Sequence, residues 1–138
     1  MNFEAIERLS DDQMEDLHRL YQAEWWSKGR KKADIERMLK HSDLIVAFCE
    51  PDSKRLIAFS RILTDYVYRA SIFDVIVEAS YRGDGLGRIL IDAIVNHPDL
   101  KSVEGLYLYC LPEMIPFYQK WGFTDDVGNQ RLMRKVQL

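Results

Sequence analysis

The stretch that most constrains this chain runs from Ile72 to Ile91 and reads Ile-Phe-Asp-Val-Ile-Val-Glu-Ala-Ser-Tyr-Arg-Gly-Asp-Gly-Leu-Gly-Arg-Ile-Leu-Ile. Ile72 to Val77 is nearly all β-branched or aromatic, which favours a pleated, largely buried strand. Gly83, Gly85 and Gly87 then fall on alternate residues. Lacking Cβ atoms, they can take positive φ and let a ligand rest directly on the backbone. From Leu86 the apolar residues Leu86, Ile89, Leu90, Ala93 and Ile94 recur at helical spacing, so a helix starts in or just after the turn. A helix start offers N–H groups without partners and the positive end of a dipole, and both attract phosphate. Arg82 and Arg88 add positive charge on either side. The pattern builds a pyrophosphate cradle.

Spacing narrows the kind of cradle. The dinucleotide fingerprint requires G-x-G-x-x-G, but after Gly83 and Gly85 the third position is Arg88. The Walker loop requires Gly-Lys followed by Ser or Thr, which is absent here.

With 138 residues the chain is long enough for one domain, 1–138, with a sizeable core. The formal net charge of −3 gives no electrostatic case for a nucleic-acid partner. No apolar run approaches membrane-spanning length, and Met1-Asn-Phe-Glu-Ala lacks the basic and apolar regions of a signal peptide. Cys49 and Cys110 both lie in apolar, strand-like runs and match no metal spacing. They are expected as buried, reduced thiols. The expectation is a cytoplasmic protein with no metal, no nucleic acid and no membrane contact.

Taken in order, Phe3 to Leu9 alternates and predicts an edge strand. Ser10 before Asp11, Asp12 and Gln13 is a capping box with an acidic first turn. Met14, Leu17, Leu20 and Tyr21 share one face of the helix that follows, which runs towards Trp26. Lys31 to His41 predicts a shorter helix, with Arg30, Lys31 and Lys32 as a solvated basic face. Asp43–Glu50 and Arg55–Leu63 read as strands joined by a turn at Pro51-Asp-Ser-Lys54. Val103–Leu111 is a further strand. Its connection to the strand at 72–77 passes through a helix, which requires the two to run parallel. Pro112–Trp121 predicts a short helix that Gly122 ends in a left-handed cap. Phe123–Asp126 and Arg131–Val136 are expected to close as a hairpin around Gly128-Asn129.

Two separated segments carry a family resemblance. Arg82-Gly-Asp-Gly-Leu-Gly87, preceded by Val75-Ile-Val77 and Tyr81, is similar to the R-x-x-G-x-G loop of the GNAT acyltransferase superfamily. Phe117-Tyr118-Gln-Lys-Trp-Gly-Phe123 resembles that family's F-Y-x-x-x-G-F segment. The predicted order β-α-α-β-β-β-α-β-α-β-β matches the family over essentially the whole chain. The resemblance implies an α+β fold: a mixed, mostly antiparallel sheet with a splayed parallel pair, and helices on both faces.

The resemblance further implies acetyl-CoA as co-substrate. Backbone groups of Val75, Ile76 and Val77 would pair with its pantetheine arm. Arg82, Gly83, Asp84, Gly85, Leu86, Gly87 and Arg88 would hold its pyrophosphate. Tyr118 occupies the position of the family tyrosine near the CoA sulfur, and would give a proton or hydrogen bond to the leaving thiolate. Asp74, a carboxylate in an otherwise apolar strand, needs a partner, a raised pKa or a place in the cleft. It is the candidate base, and an ion pair with Arg61 or Arg69 is the structural alternative. Trp25 and Trp26 are candidates for the acceptor wall, against a core-packing role. One departure stands out: where many members carry N-x-x-A, this chain has Leu111 and Met114.

Ser60–Asp65, Ile72–Val77, Leu108–Pro112 and Phe117-Tyr118 look particularly like the plant and cyanobacterial serotonin (arylalkylamine) N-acetyltransferase branch. The expected activity is therefore acetyl transfer from acetyl-CoA directly to a primary amine, with a small and aromatic amine favoured. The alternatives are a catalytically silent acyl-CoA sensor or partner-binding protein, and an acetyltransferase acting on protein N-termini or lysines. An exposed edge strand at either terminus would allow a homodimer.

Overall fold

The computed structural model describes residues 2–137. They fall into two compact units, Met1–Leu108 and Tyr109–Leu138.

The first unit holds a five-stranded sheet in the spatial order β1-β2-β3-β4-β5. Its strands are β1 (Glu4–Ile6), β2 (Leu44–Cys49), β3 (Leu56–Thr64), β4 (Arg69–Val77) and β5 (Gly105–Leu108). Its helices are α1 (Asp11–Gln22), α2 (Lys32–Lys40) and α3 (Leu86–Val95). Neighbouring strands pair antiparallel except β4 and β5, which pair parallel across α3 as the crossover requires.

Local chemistry explains the first helix. The Ser10 hydroxyl accepts from the Gln13 N–H at 3.1 Å and the Gln13 side chain accepts from the Ser10 N–H at 3.0 Å, so the capping box is closed in both directions. Two polar bonds then fasten α1 to the start of β3. The Leu56 N–H donates to Asp16 at 3.0 Å, and the Gln13 amide donates to the Lys54 carbonyl at 2.8 Å. Leu17, Leu20 and Tyr21 of α1 and Ile35 of α2 form one core with Ala47, Leu56, Phe59 and Ile76 of the sheet. The helix α3 meets the other face: a Cβ placed at Gly87 would lie 3.9 Å from Val77, the neighbour of Ile76 in the alternating strand. Helices thus cover both faces of a mostly antiparallel sheet, as expected.

The second unit begins with a 3₁₀ turn, Pro112–Met114, and continues into α4 (Ile115–Gln119). Gly122 follows with φ 89°, the left-handed conformation expected at that helix end. Phe117 stacks edge-on with Tyr118 and Trp121, and Tyr118 with Phe123.

Two expectations are corrected here. The closing hairpin does not form strands: residues 124–137 are irregular, although Gly128 turns with φ 79°. Asp125 and Asp126 are poor strand formers, and Leu132, Met133 and Val136 do not alternate. Those three side chains accordingly stand 69%, 91% and 58% exposed. Of the two thiols, Cys49 is buried as expected, but Cys110 is exposed.

Candidate active site

The site begins with an irregularity in β4. Phe59 pairs with Ile76 and Arg61 with Phe73, so Ser60 of β3 faces two residues, Asp74 and Val75. This is a β-bulge, and Asp74 takes the extra turn with φ 58°. Aspartate is among the few residues that tolerate left-handed backbone. Nearby, the parallel register with β5 runs from Arg69↔Gly105 to Ile72↔Leu108 and stops, whereas β4 continues to Val77. Val75, Ile76 and Val77 therefore lie beyond the part of β4 that is paired with β5, which ends at Leu108.

The Asp74 side chain is only 7% exposed. Its Oδ2 accepts three bonds, each of 2.8 Å: from the Tyr21 hydroxyl, from Nη1 of Arg30 and from Nε of Arg61. Burial pushes its pKa up, but the hydrogen bonds and charges of Arg30 and Arg61 outweigh this and hold the carboxyl below its usual range. It is an ionised carboxylate and a weak proton acceptor. Burial, reinforced by the Asp74 charge, pushes the Tyr21 phenol well above its ordinary value. The expected pairing with Arg61 is present, whereas Arg69 lies over the Tyr107 ring instead.

At the other end of β4, a 3₁₀ turn at Ala79–Tyr81 leads into the glycine turn. Gly83 and Gly85 have φ 89° and 84°, and a Cβ on either would meet nothing within 4 Å. Gly85 caps α3, with no side chain bonding to the helix end. The N–H groups of Leu86, Gly87 and Arg88 thus belong to a first helical turn that has no carbonyl four residues back to receive them. Arg82 donates from Nε to the Val77 carbonyl at 3.1 Å and from Nη2 to Glu24 at 2.6 Å, which fixes the turn to the end of β4. Asp84 and Arg88 are exposed. A groove of about 750 Å³ lined by Asn2, Glu50, Asp52, Ser53, Tyr81 and Asp84 adjoins the turn. Its carboxylates suit it poorly to phosphate.

Residues 7–123 match the sequence profile of the acetyltransferase (GNAT) family. The chain belongs to the GNAT acetyltransferase family. A GNAT relative in Prochlorococcus marinus, an uncharacterized N-acetyltransferase, is 35% identical over 118 residues, covering 83% of this chain and 65% of the relative. A chloroplastic serotonin N-acetyltransferase of Oryza sativa subsp. japonica is 34% identical over 99 residues, covering 70% of this chain and 50% of the relative. The chain thus spans between half and two thirds of the length of these curated relatives. A crystal structure from Xanthomonas campestris pv. campestris, assigned to the GNAT family, superposes with a TM-score of 0.81 at 28% identity, covering 97% of this chain and 94% of that one.

The remaining GNAT candidates fall as follows. Trp25 and Trp26 lie in the connector between α1 and α2, 77% and 37% exposed. Trp26 packs edge-on to Tyr21 at 6.1 Å. Tyr118, in the second unit, is buried, and burial followed by the nearby Cys110 raises its hydroxyl pKa. At the N-x-x-A position the Met114 N–H donates to the Leu111 carbonyl at 2.9 Å, closing the 3₁₀ turn with backbone alone. No cluster of three or more His, Cys, Asp or Glu is placed to hold a metal among the described residues.

Sequence reasoning missed two members of the Asp74 cluster. Tyr21 carried a signal, since a tyrosine on the buried stripe of a helix needs a partner for its hydroxyl. Arg30 carried none: it was assigned to a solvated basic face, and the structure turns it inward. Its bond spans 44 positions of sequence.

Proposed function

We propose that the chain is an N-acetyltransferase that moves an acetyl group from acetyl-CoA directly to the primary amine of a small, preferentially aromatic molecule. The observation that carries this reading is that one strand joins both halves of the site. β4 bears the bulge just past its last residue paired with β5, and leads through a 3₁₀ turn to the glycine turn.

Acetyl-CoA fits the residues present. The open space over Gly83 and Gly85 leaves the backbone accessible, and the first-turn N–H groups of α3 are donors aimed where a pyrophosphate is favoured. The segment Arg82 to Arg88 would hold that group, and Val75, Ile76 and Val77 would hold the pantetheine arm along the strand edge. When bound, the thioester supplies the activated acetyl group.

The chain's own part is to position the amine and manage its charge. The Asp74 cluster sets two guanidiniums against one carboxylate, a net of one positive charge. A positive cluster disfavours an ammonium beside it and so favours the neutral, nucleophilic amine. In this reading Asp74 keeps the bulge in place and water carries the amine's proton away. By the family resemblance Tyr118 would give its proton to the leaving thiolate, and its raised pKa keeps the hydroxyl protonated at neutral pH. Trp25 and Trp26 offer the aromatic surface that would favour an arylalkylamine.

Calorimetric titration with acetyl-CoA, with Gly85→Glu as control, tests the first half. Saturable binding to the parent and none to the folded variant is expected, because a charged side chain at Gly85 blocks the cradle. Absence of binding to the parent would sink the proposal. CoA release with a panel of amines tests the second half, and arylalkylamines should lead. Binding without turnover across the panel would instead support an acyl-CoA sensor. Release only with peptide amines would move the acceptor to protein N-termini or lysines.

A further inference from the structure

Three donors meet at one oxygen of Asp74, and they come from three different parts of the chain. Tyr21 belongs to α1 and Arg61 to β3, elements already fixed by the core. Arg30 belongs to neither. It stands in the irregular connector between α1 and α2, the segment that carries Trp25 and Trp26.

Arg30 does more there than pair a charge. Its guanidinium carbon lies 4.6 Å from the centre of the Tyr21 ring and 5.5 Å from that of Trp26, while Nη1 reaches Asp74 at 2.8 Å. One flat cation thus touches two aromatic faces and the carboxylate at the bulge. The connector has a second long-range tie, Glu24 accepting from Arg82 of the glycine turn at 2.6 Å, and its remaining bonds are local. The Ser27 hydroxyl donates to the Tyr21 carbonyl at 2.9 Å, the Gln22 amide to the Arg30 carbonyl at 3.1 Å, and the Arg30 N–H to the Ser27 carbonyl at 3.0 Å. Glu24 reaches the end of β4 only through Arg82, whereas the Arg30 side chain bonds directly to Asp74 at the β4 bulge.

We infer that Arg30 is a positioning residue that sets acceptor specificity: through Asp74 its guanidinium latches the tryptophan-bearing connector to the β4 bulge. The inference rests on the acceptor role given above to Trp25 and Trp26. Asp74 keeps Arg61 and Tyr21 when Arg30 is removed, so the bulge persists. Among the described residues no hydrogen bond or ion pair joins Arg30 to the cradle at residues 82–88, and the Glu24–Arg82 pair that holds the connector to the cradle does not involve Arg30. Loss of the latch therefore separates the two substrates, weakening the amine side and sparing acetyl-CoA.

Arg30→Gln and Arg30→Lys are compared with the parent. With tryptamine as probe, Arg30→Gln should raise the acceptor KM about tenfold or more. Its acetyl-CoA dissociation constant should stay within about twofold of the parent's. Lysine restores the charge without the flat fork, so Arg30→Lys should fall between the two. A second readout needs no turnover. In a background where Trp25 and Trp121 are phenylalanine, acrylamide quenching reports Trp26 alone, and Arg30→Gln should increase it. An unchanged KM with unchanged quenching would overturn the inference. A lower unfolding temperature with KM unchanged would reduce Arg30 to a structural role, which also overturns it. If the parent acetylates no amine, the specificity role falls with the proposed function, while the quenching result still decides whether the latch exists.

Discussion

At Asp74 a single carboxylate balances two guanidiniums inside a bulge, and the arithmetic of burial makes its removal costly. Arg61 has a side chain only 15% exposed, so without Asp74 its charge has no counterion where water is scarce. Breaking a buried pair from one side costs about 3–5 kcal/mol. Asn is nearly the same size and also tolerates left-handed backbone, so Asp74→Asn tests charge rather than shape. Urea denaturation of this variant should show a lower midpoint at unchanged slope, with a loss of roughly 3 kcal/mol. A loss below about 0.5 kcal/mol would mean that the ion cluster is stabilised elsewhere. Arg61→Ala with Asp74→Asn completes the cycle. The double variant should lose less than the sum, because the second change removes the charge that the first one stranded.

Among the elements, those governed by local rules were legible before any coordinates. The capping box, the β-branched run of β4 and the apolar stripe of α3 all depend on near neighbours, and all appear where expected. The edge strand forms only over Glu4–Ile6 and without the expected alternation, since Ala5 is exposed and Ile6 half-buried. What was not legible depends on distant chain. The bulge exists because Ser60 faces two residues across the sheet, and no pattern within 72–77 announces it. The inward turn of Arg30 depends on a carboxylate on another strand. The closing hairpin was read from turn chemistry at Gly128-Asn129, but a turn makes strands only where flanking residues have an apolar face to bury. Two substitutions test the local rules. Ser10→Ala should cost about 1 kcal/mol of stability, read from chemical denaturation, since it frees the Gln13 N–H and the helix end. Gly85→Ala should cost a similar roughly 1 kcal/mol, because φ 84° penalises any Cβ even where space is open. Acetyl-CoA binding should fall only modestly in that variant, far less than with the blocking glutamate.

The whole molecule adds up these local charges as a response to pH. Asp74, Glu50 and Asp65 all have carboxyl groups held below their ordinary range. For Asp74, burial is outweighed by Arg30 and Arg61. Glu50 owes it to hydrogen bonds from Tyr81 and Ser53, and Asp65 to the backbone N–H groups of Val67, Arg69 and Tyr68. A carboxyl depressed in the folded state contributes stability above its unfolded pKa of about 4 and loses it as pH falls through the folded value. Between those limits the unfolded chain binds more protons, so stability must rise with pH there. The phenols of Tyr21 and Tyr118 are raised, chiefly by burial. Their contribution is complete below an unfolded pKa of about 10 and is lost as pH rises towards the folded values. The unfolding temperature should therefore show a plateau between about pH 6 and 9, with a fall on either side. The acid limb separates buried from exposed contributions. Glu50 and Asp65 sit at the surface, where solvent screens their interactions, whereas Asp74 is enclosed with its partners. Calorimetric scans across pH should thus find the acid limb markedly flatter in Asp74→Asn than in the parent. An equally steep limb in the variant would assign the acid response to the surface carboxylates and take the Asp74 cluster out of it.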